Sequence, residues 1–150
     1  MGNAPREKDI LLFFKGDAGE RRLPNYSRGV RQRLHKLSKE NDWKGKHNVL
    51  IGSREIQGDY SDLLSRSKYC LVAPGAVHYA LERLELPSYI PRTLSLEGDG
   101  WSGRAEDAVL HGCVPVVIMD GVHVVFESVL DWSSFSVRIP VRRNSGADKR

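Results

Sequence analysis

The sequence has little of what marks a specialised class of protein. It contains two cysteines in 150 residues, and its five histidines share no metal-ligand spacing, so neither a disulfide framework nor a metal site is predicted. No apolar run approaches the ~20 residues needed to cross a bilayer. Residues 1–8 hold no apolar stretch of the kind found in signal peptides. We therefore expect neither a membrane segment nor a targeting signal in this chain.

Two functional classes are disfavoured by what is missing. No serine, cysteine or aspartate stands in a nucleophile-elbow or triad pattern, so a hydrolase is not supported. The net charge is +4, but the basic residues are dispersed apart from a cluster at 28–39 and a tail at 142–150. Nucleic-acid binding requires a continuous basic face with interleaved aromatic residues. The cluster and the tail are therefore interpreted as a solvated helix face and a disordered end.

The residues that are present suit one globular domain. Hydrophobic residues make up 40% and charged residues 28%, proportions that allow a buried core. Strands are predicted at 9–14, 47–52, 69–73, 113–119 and 135–139, and helices at 26–39, 59–67 and 103–111. This alternation predicts an α/β fold, a Rossmann-like parallel sheet with helices on both faces. Cys70 and Cys113 fall in apolar strand segments, so we expect both to be buried and unpaired.

The segment 98–107 is the strongest candidate for a ligand site. In parallel α/β sheets ligands bind beyond the carboxyl ends of the strands, and this segment is predicted to lie there. Gly98 and Gly100 let the backbone approach a ligand, and a helix begins directly afterwards. Arg104 offers a bidentate donor to a diphosphate, and Glu106 offers acceptors to ribose hydroxyls. The segment therefore predicts a nucleotide site.

A purely structural interpretation of the same segment is equally supported by the residues. Glu106 and Asp107 then complement the dipole of the first helical turn, while Ser102 or Gly103 caps the helix. Glycine-rich helix starts are common in proteins, and composition alone favours neither interpretation.

Two further positions carry weaker signals. Lys15 follows the first predicted strand and is placed to meet a phosphate at the same rim, although an exposed lysine in a polar loop explains it at least as well. Asn25 begins the N-glycosylation sequon Asn-Tyr-Ser, which is short and indicates a secretory lumen only weakly.

Four blocks of sequence resemble the exostosin family, glycosyltransferase family 47, and most closely its plant and algal members. They occur in the family's order, at 60–71, 104–117, 126–132 and 135–137. The blocks extend in order over most of the chain, which makes the resemblance more specific than any single motif. It implies the C-terminal, donor-binding half of a GT-B fold, incomplete in this chain. It also implies a Golgi enzyme that transfers a sugar, with inversion, from a nucleotide-sugar such as a UDP-sugar to a glycan or glycoprotein acceptor.

The resemblance further implies roles for individual residues. Arg104 matches the arginine expected at the donor diphosphate, Glu106 the acidic residue at the ribose, and Lys15 the basic residue after the first strand. Gly100 and Ser102 belong to the same donor loop. Enzymes of this fold generally need no metal and no other cofactor in the active site. The acceptor domain and the general base are expected outside this chain, before Met1, so no catalytic base is named.

The sequence departs from the family pattern at 76–98, which separates Gly75 from the donor loop. A surface excursion and a translated intron explain this insert equally well. We expect a domain at 9–140 that contains this insert, with disordered ends at 1–8 and 141–150.

An inactive remnant that acts at most as a binding module is the alternative function. A phosphate-binding signalling domain is a third, but it would require an acidic cluster that the strand ends do not show.

Overall fold

The computed structural model describes residues 7–22, 24, 26–75, 102–121 and 123–141. The strands are β1 (Ile10–Lys15), β2 (Val49–Gly52), β3 (Ser67–Val72), β4 (Val114–Val117) and β5 (Val137–Arg138). The α-helices are α1 (Val30–Glu40), α2 (Trp43–His47), α3 (Tyr60–Ser65) and α4 (Arg104–Leu110), and short 3-10 turns cover Tyr26–Gly29 and Trp132–Ser134. None of the helices described is long and apolar enough to cross a membrane.

The five described strands form one sheet in the order β2-β1-β3-β4-β5, and every neighbouring pair is parallel. Successive strand residues face opposite sides of the sheet. Phe13 packs with Leu63 and Leu64 of α3, whereas Phe14 packs with Val30 of α1. Helices therefore cover both faces, and the predicted Rossmann-like α/β fold is confirmed.

The strand order places a crevice at one point of the sheet. The chain passes from β1 to β2 on one side and then returns to β3 on the other side of β1. Connections that diverge in this way leave a gap at the carboxyl ends of the two central strands, where ligands of open α/β sheets bind. The gap here lies beyond Lys15 of β1 and Val72 of β3.

Several boundaries differ from those predicted. The helix predicted from residue 26 begins only at Val30, because Ser27, Arg28 and Gly29 all have left-handed φ angles, of 53°, 52° and 73°. The five-residue α2 was not predicted, since it is too short to show a periodic pattern. β5 is only two residues long.

Some predictions concern residues outside those described. They concern the insert at 76–98, Gly98, Gly100 and Asn25, and most of the two predicted disordered ends. Lys8 and Val141 had been assigned to those ends. The ammonium group of Lys8 donates to the carbonyl oxygens of Ser65 and Ser67, at 3.2 and 2.9 Å. The backbone N–H of Val141 donates to a carboxylate oxygen of Asp120 at 2.9 Å.

The prediction of unpaired cysteines was wrong. Cys70 of β3 and Cys113, directly before β4, are buried as expected but form a disulfide, with their Cα atoms 5.8 Å apart. The two cysteines are 43 positions apart in the sequence, so their proximity is not visible there. It arises because β3 and β4 pair in a register that sets Tyr69 opposite Val114 and Cys70 opposite Pro115.

Candidate functional site

Arg104 lies at the crevice between β1 and β3, as the first residue of α4. Its Nη1 donates to the hydroxyl oxygen of Tyr60 at 3.0 Å, and its guanidinium carbon lies 4.7 Å from the ring centre of Phe14. A Cβ atom at Gly16 would come within 2.1 Å of Nη2, so only glycine leaves room for this side chain position. Among the described residues, Nε and Nη2 of Arg104 make no hydrogen bond.

Arg31 of α1 reaches the same ring from the other face of the sheet. Its guanidinium carbon lies 5.2 Å from the centre of Phe14. Nη1 donates to the hydroxyl of Tyr26 at 3.0 Å, and Nη2 donates to the carbonyl oxygen of Ala73, beyond β3, at 3.2 Å. Arg31 is only 6% exposed, and its Nε finds no hydrogen-bond acceptor in the described part of the chain.

The charges of the two guanidinium groups are only weakly balanced by the described residues. Neither forms an ion pair with any carboxylate of the described residues. Burial lowers the pKa of Arg31; the Tyr26 side chain and the carboxylate charge of Asp17 oppose this shift, and the positive charge of Arg104 adds to it. Burying a charge without a counter-ion is unfavourable unless a ligand completes the site. The pair around Phe14 is therefore suited to bind an anion.

Arg31 was missed by the sequence analysis, which interpreted the basic cluster as a solvated helix face. A signal was present in the sequence. Arg31, His35 and Ser38 recur at helical spacing beside the apolar stripe, and all three are buried. Polar residues in that position indicate a helix face that covers a polar part of the fold.

Glu106 presents a carboxylate oxygen, Oε2, that is buried and has no hydrogen-bond donor among the described residues. Ser102 is also buried, at 6% exposure, and its carbonyl oxygen accepts from the backbone N–H of Ala105 at 3.3 Å. The cap residue of α4 is Gly103, and no side chain makes a capping hydrogen bond there. The structural interpretation is therefore confirmed in that Gly103 caps the helix and Glu106 and Asp107 lie in its first turn, although a glycine cap offers no side-chain hydrogen bond.

The α4 helix itself supplies only part of the positive potential. It has seven residues, so few peptide dipoles are aligned behind its first turn. The charge at the crevice comes mainly from the two arginine side chains. A diphosphate is the kind of ligand that such a pair of planar, multidentate donors fits well.

Lys15 lies at the same edge of the sheet, but its ammonium group is engaged elsewhere. It donates to the carbonyl oxygen of Gly58, in the loop between β2 and α3, at 3.0 Å. The structure therefore brings Arg104, Glu106 and Ser102 together at the start of α4. It leaves Lys15 beside them with a different partner.

A groove of about 580 Å³ lies elsewhere in the described part of the chain, along the outer side of β2. Its rim mixes acidic and basic side chains, among them Asp42, Glu55, Lys39 and Lys44. Because charges of both signs occur there, the groove does not present a positive surface to an anion. The space between Phe14, Tyr60 and Arg104 is much smaller, at about 10 Å³, so an anion there would lie over the edge of the sheet.

No group of three or more His, Cys, Asp or Glu side chains within the described ranges is placed to hold a metal ion. No general base stands out among the residues of these ranges either. The arrangement can bind a dianion and accept hydrogen bonds from neighbouring hydroxyl groups.

Comparison with known proteins gives a consistent result. The profile of the exostosin GT47 domain matches residues 1–148. The chain is 28% identical to a probable glucuronosyltransferase of Oryza sativa subsp. japonica over 89% of its own length. It is 26% identical to a probable glucuronoxylan glucuronosyltransferase of Arabidopsis thaliana over 91%, and 28% identical to a probable arabinosyltransferase of the same plant over 87%. The chain spans about a quarter of the length of these relatives, between 23% and 26%.

Proposed function

The chain belongs to the exostosin GT47 family, and from this premise we propose that it is the nucleotide-sugar-binding part of a glycosyltransferase. The observation that carries the proposal is a pair of guanidinium groups, Arg31 and Arg104, on the ring of Phe14 at the crevice of the sheet, neither of them in an ion pair with a described residue. In this proposal the donor diphosphate lies over these groups. The domain is the donor half of a GT-B fold, whose second half binds the acceptor.

The chemistry proposed for the site is stabilisation of a leaving group. An acceptor hydroxyl attacks the anomeric carbon, the bond to the diphosphate oxygen breaks with inversion, and the acceptor proton passes to a base that we assign to no residue of this chain. Negative charge develops on the departing nucleoside diphosphate. Arg31 and Arg104 are fixed before the reaction, and preorganised cations of this kind stabilise such charge without reorganisation. We propose that they, and not a resident metal ion, perform this role.

The other donor contacts follow from the same placement. The unpartnered carboxylate oxygen of Glu106 is proposed to accept from the ribose hydroxyls, and Ser102 to border the sugar phosphate. Lys15 would have to release the carbonyl of Gly58 to reach a phosphate, so we give it no primary role.

We propose a UDP-sugar as donor and a cell-wall glycan or glycoprotein as acceptor; of these, a glycan acceptor is supported by the relative that is named for glucuronoxylan. The Golgi lumen is the proposed compartment. The disulfide supports it, because disulfides persist in oxidising compartments and are rare in the cytosol.

Calorimetric titration of UDP and GDP into the purified chain tests the proposal. We expect UDP to bind, and Arg104→Ala to weaken binding roughly 10- to 100-fold, because hydrogen bonds to charged groups contribute about 1.5–3 kcal/mol. Arg33→Ala, which removes the same charge from the exposed face of α1, is the matched control. Failure of the wild-type chain to bind either nucleotide would overturn the donor site.

The alternative, an inactive remnant, makes a different prediction. It allows nucleotide binding but no transfer by this chain. Transfer of a sugar from a nucleotide-sugar by the purified chain would exclude it.

A further inference from the structure

Tyr60 has a fixed position at the crevice. It is the first residue of α3, directly after Asp59, whose carboxylate accepts from the backbone N–H of Asp62 at 3.0 Å and caps the helix. The Tyr60 ring packs against Phe13, with the ring centres 5.8 Å apart. The helix start and the ring contact together leave the hydroxyl group little freedom.

The hydroxyl group of Tyr60 links two residues of α4. Its oxygen accepts from Nη1 of Arg104 at 3.0 Å, and its O–H donates to a carboxylate oxygen of Asp107 at 3.4 Å. Burial raises the pKa of Tyr60, partly opposed by the charge of Arg104, so the phenol keeps its proton at neutral pH. A protonated phenol can accept from the arginine and donate to the carboxylate at the same time.

Arg104 needs such support because its side chain is long and flexible. A flexible side chain that is ordered only on binding reduces affinity, whereas one already held in the bound position does not. Three neighbours hold the guanidinium group: the ring of Phe14, the space left by Gly16, and the hydroxyl of Tyr60. The Tyr60 contact uses only Nη1, and this leaves Nε and Nη2 without a partner among the described residues.

We infer that Tyr60 is a positioning residue for the donor diphosphate. Its hydroxyl holds the guanidinium group of Arg104 over the carboxyl ends of β1 and β3, with the remaining donors directed at the ligand. This inference rests on the proposed function. It assigns to Tyr60 a role that acts through Arg104, without direct contact with the nucleotide.

A double-mutant cycle on the full chain tests it. UDP is titrated calorimetrically into the wild type, Tyr60→Phe, Arg104→Ala and the double variant. We expect Tyr60→Phe to raise the Kd for UDP roughly three- to tenfold, the effect of one lost hydrogen bond. In the Arg104→Ala background the same substitution should change the Kd by less than about twofold, because the residue it positions is gone.

Two controls separate positioning from a general structural effect. Tyr69→Phe removes a hydroxyl from an exposed tyrosine of β3 and should leave the Kd unchanged. Uridine, which has no phosphate, should bind wild type and Tyr60→Phe equally, whereas a general loss of structure would weaken both ligands.

The outcomes are distinguishable. The inference is overturned if Tyr60→Phe behaves like Tyr69→Phe while Arg104→Ala still weakens UDP binding, a result that leaves the proposed function intact. An equal effect of Tyr60→Phe in both backgrounds also overturns it, because it shows direct contact with the ligand. If the wild-type chain does not bind UDP, the proposed function fails and this inference fails with it.

Discussion

Arginines lie at both ends of the parallel strands, but their surroundings differ. We call the end where the strands begin the amino edge and the end where they finish the carboxyl edge. At the amino edge, directly before β3, Arg66 is exposed and pairs with two carboxylates, those of Asp9 and Asp62. Hydrogen bonds to these carboxylates, Asp9 first, raise the pKa of Arg66. At the carboxyl edge, Arg31 and Arg104 have no carboxylate partner among the described residues, and burial lowers the pKa of Arg31. Among the described residues, Arg66 at the amino edge is paired with carboxylates, whereas Arg31 and Arg104 at the carboxyl edge are in no ion pair.

This difference separates a structural from a functional use of the same side chain. Exposed ion pairs contribute little to stability and are weakened by salt. A buried cation held only by neutral oxygens is costly to the fold, and such costs are typical of functional sites. The variants below compare the two edges.

The largest effect is expected from removing the disulfide, which joins two neighbouring strand segments between the two edges. Replacing both Cys70 and Cys113 with serine should lower the free energy of unfolding by about 4 kcal/mol, the loop-entropy value for the 43 residues that the disulfide spans. Chemical denaturation under oxidising conditions measures it. A loss below about 1 kcal/mol would show that the disulfide contributes little to the packing of β3 on β4.

Arg31→Met tests whether Arg31 serves UDP binding or the stability of the fold. We expect UDP binding to weaken roughly 10- to 100-fold, because a charged donor is lost, while the unfolding free energy changes by less than about 2 kcal/mol, because methionine fills an apolar site without a buried charge. Calorimetry and denaturation measure the two quantities. A large loss of stability with unchanged affinity would make Arg31 structural and end the contrast between the edges.

Gly16→Ala tests whether the space beside Gly16 is needed to hold the guanidinium group of Arg104. The added methyl group would displace the guanidinium end, which is flexible and can move, so stability should hardly change. UDP binding should weaken about tenfold, the loss of one positioned charged contact. The same substitution in an Arg104→Ala chain should have no effect on UDP affinity. An effect there would show that Gly16 does not act through the position of Arg104.

Asp9→Asn should have the smallest effect, and it concerns only the amino edge. Hydrogen bonding to Arg66 holds the pKa of Asp9 below its ordinary value of 3.8. Its contribution to stability is therefore present above pH 3.8 and is lost as the pH falls through the lower, folded-state pKa. The small difference in unfolding midpoint between wild type and Asp9→Asn should disappear at low pH and in high salt, with UDP affinity unchanged. A change in UDP affinity would show that the edges are coupled.

The fold was largely predictable because its central strands are read from continuous apolar runs, as in Ile10–Lys15, and the helices between them from spacing. The failures have physical reasons. Ser27 and Arg28 adopt left-handed geometry although neither is a glycine, the residue that normally marks it. The cysteines are distant in sequence and became neighbours only through strand order.

The site was predictable only in part. Arg104 and Glu106 follow a glycine-rich segment, a local pattern that sequence shows directly. Arg31 and Tyr60 come from distant segments, and the topology brings them to the same edge. A single sequence does not show which polar side chains of a helix are buried, so it predicts a solvated face where the polar stripe of α1 is buried.

The central claim is that a nucleoside diphosphate binds at the crevice between β1 and β3, and a crystal structure of the chain with UDP tests it most directly. The account predicts diphosphate oxygens within hydrogen-bond distance of Arg104, over the ring of Phe14, with the ribose near Glu106. A diphosphate bound elsewhere, for example in the groove along the outer side of β2, with the Arg104 guanidinium unliganded, would contradict it.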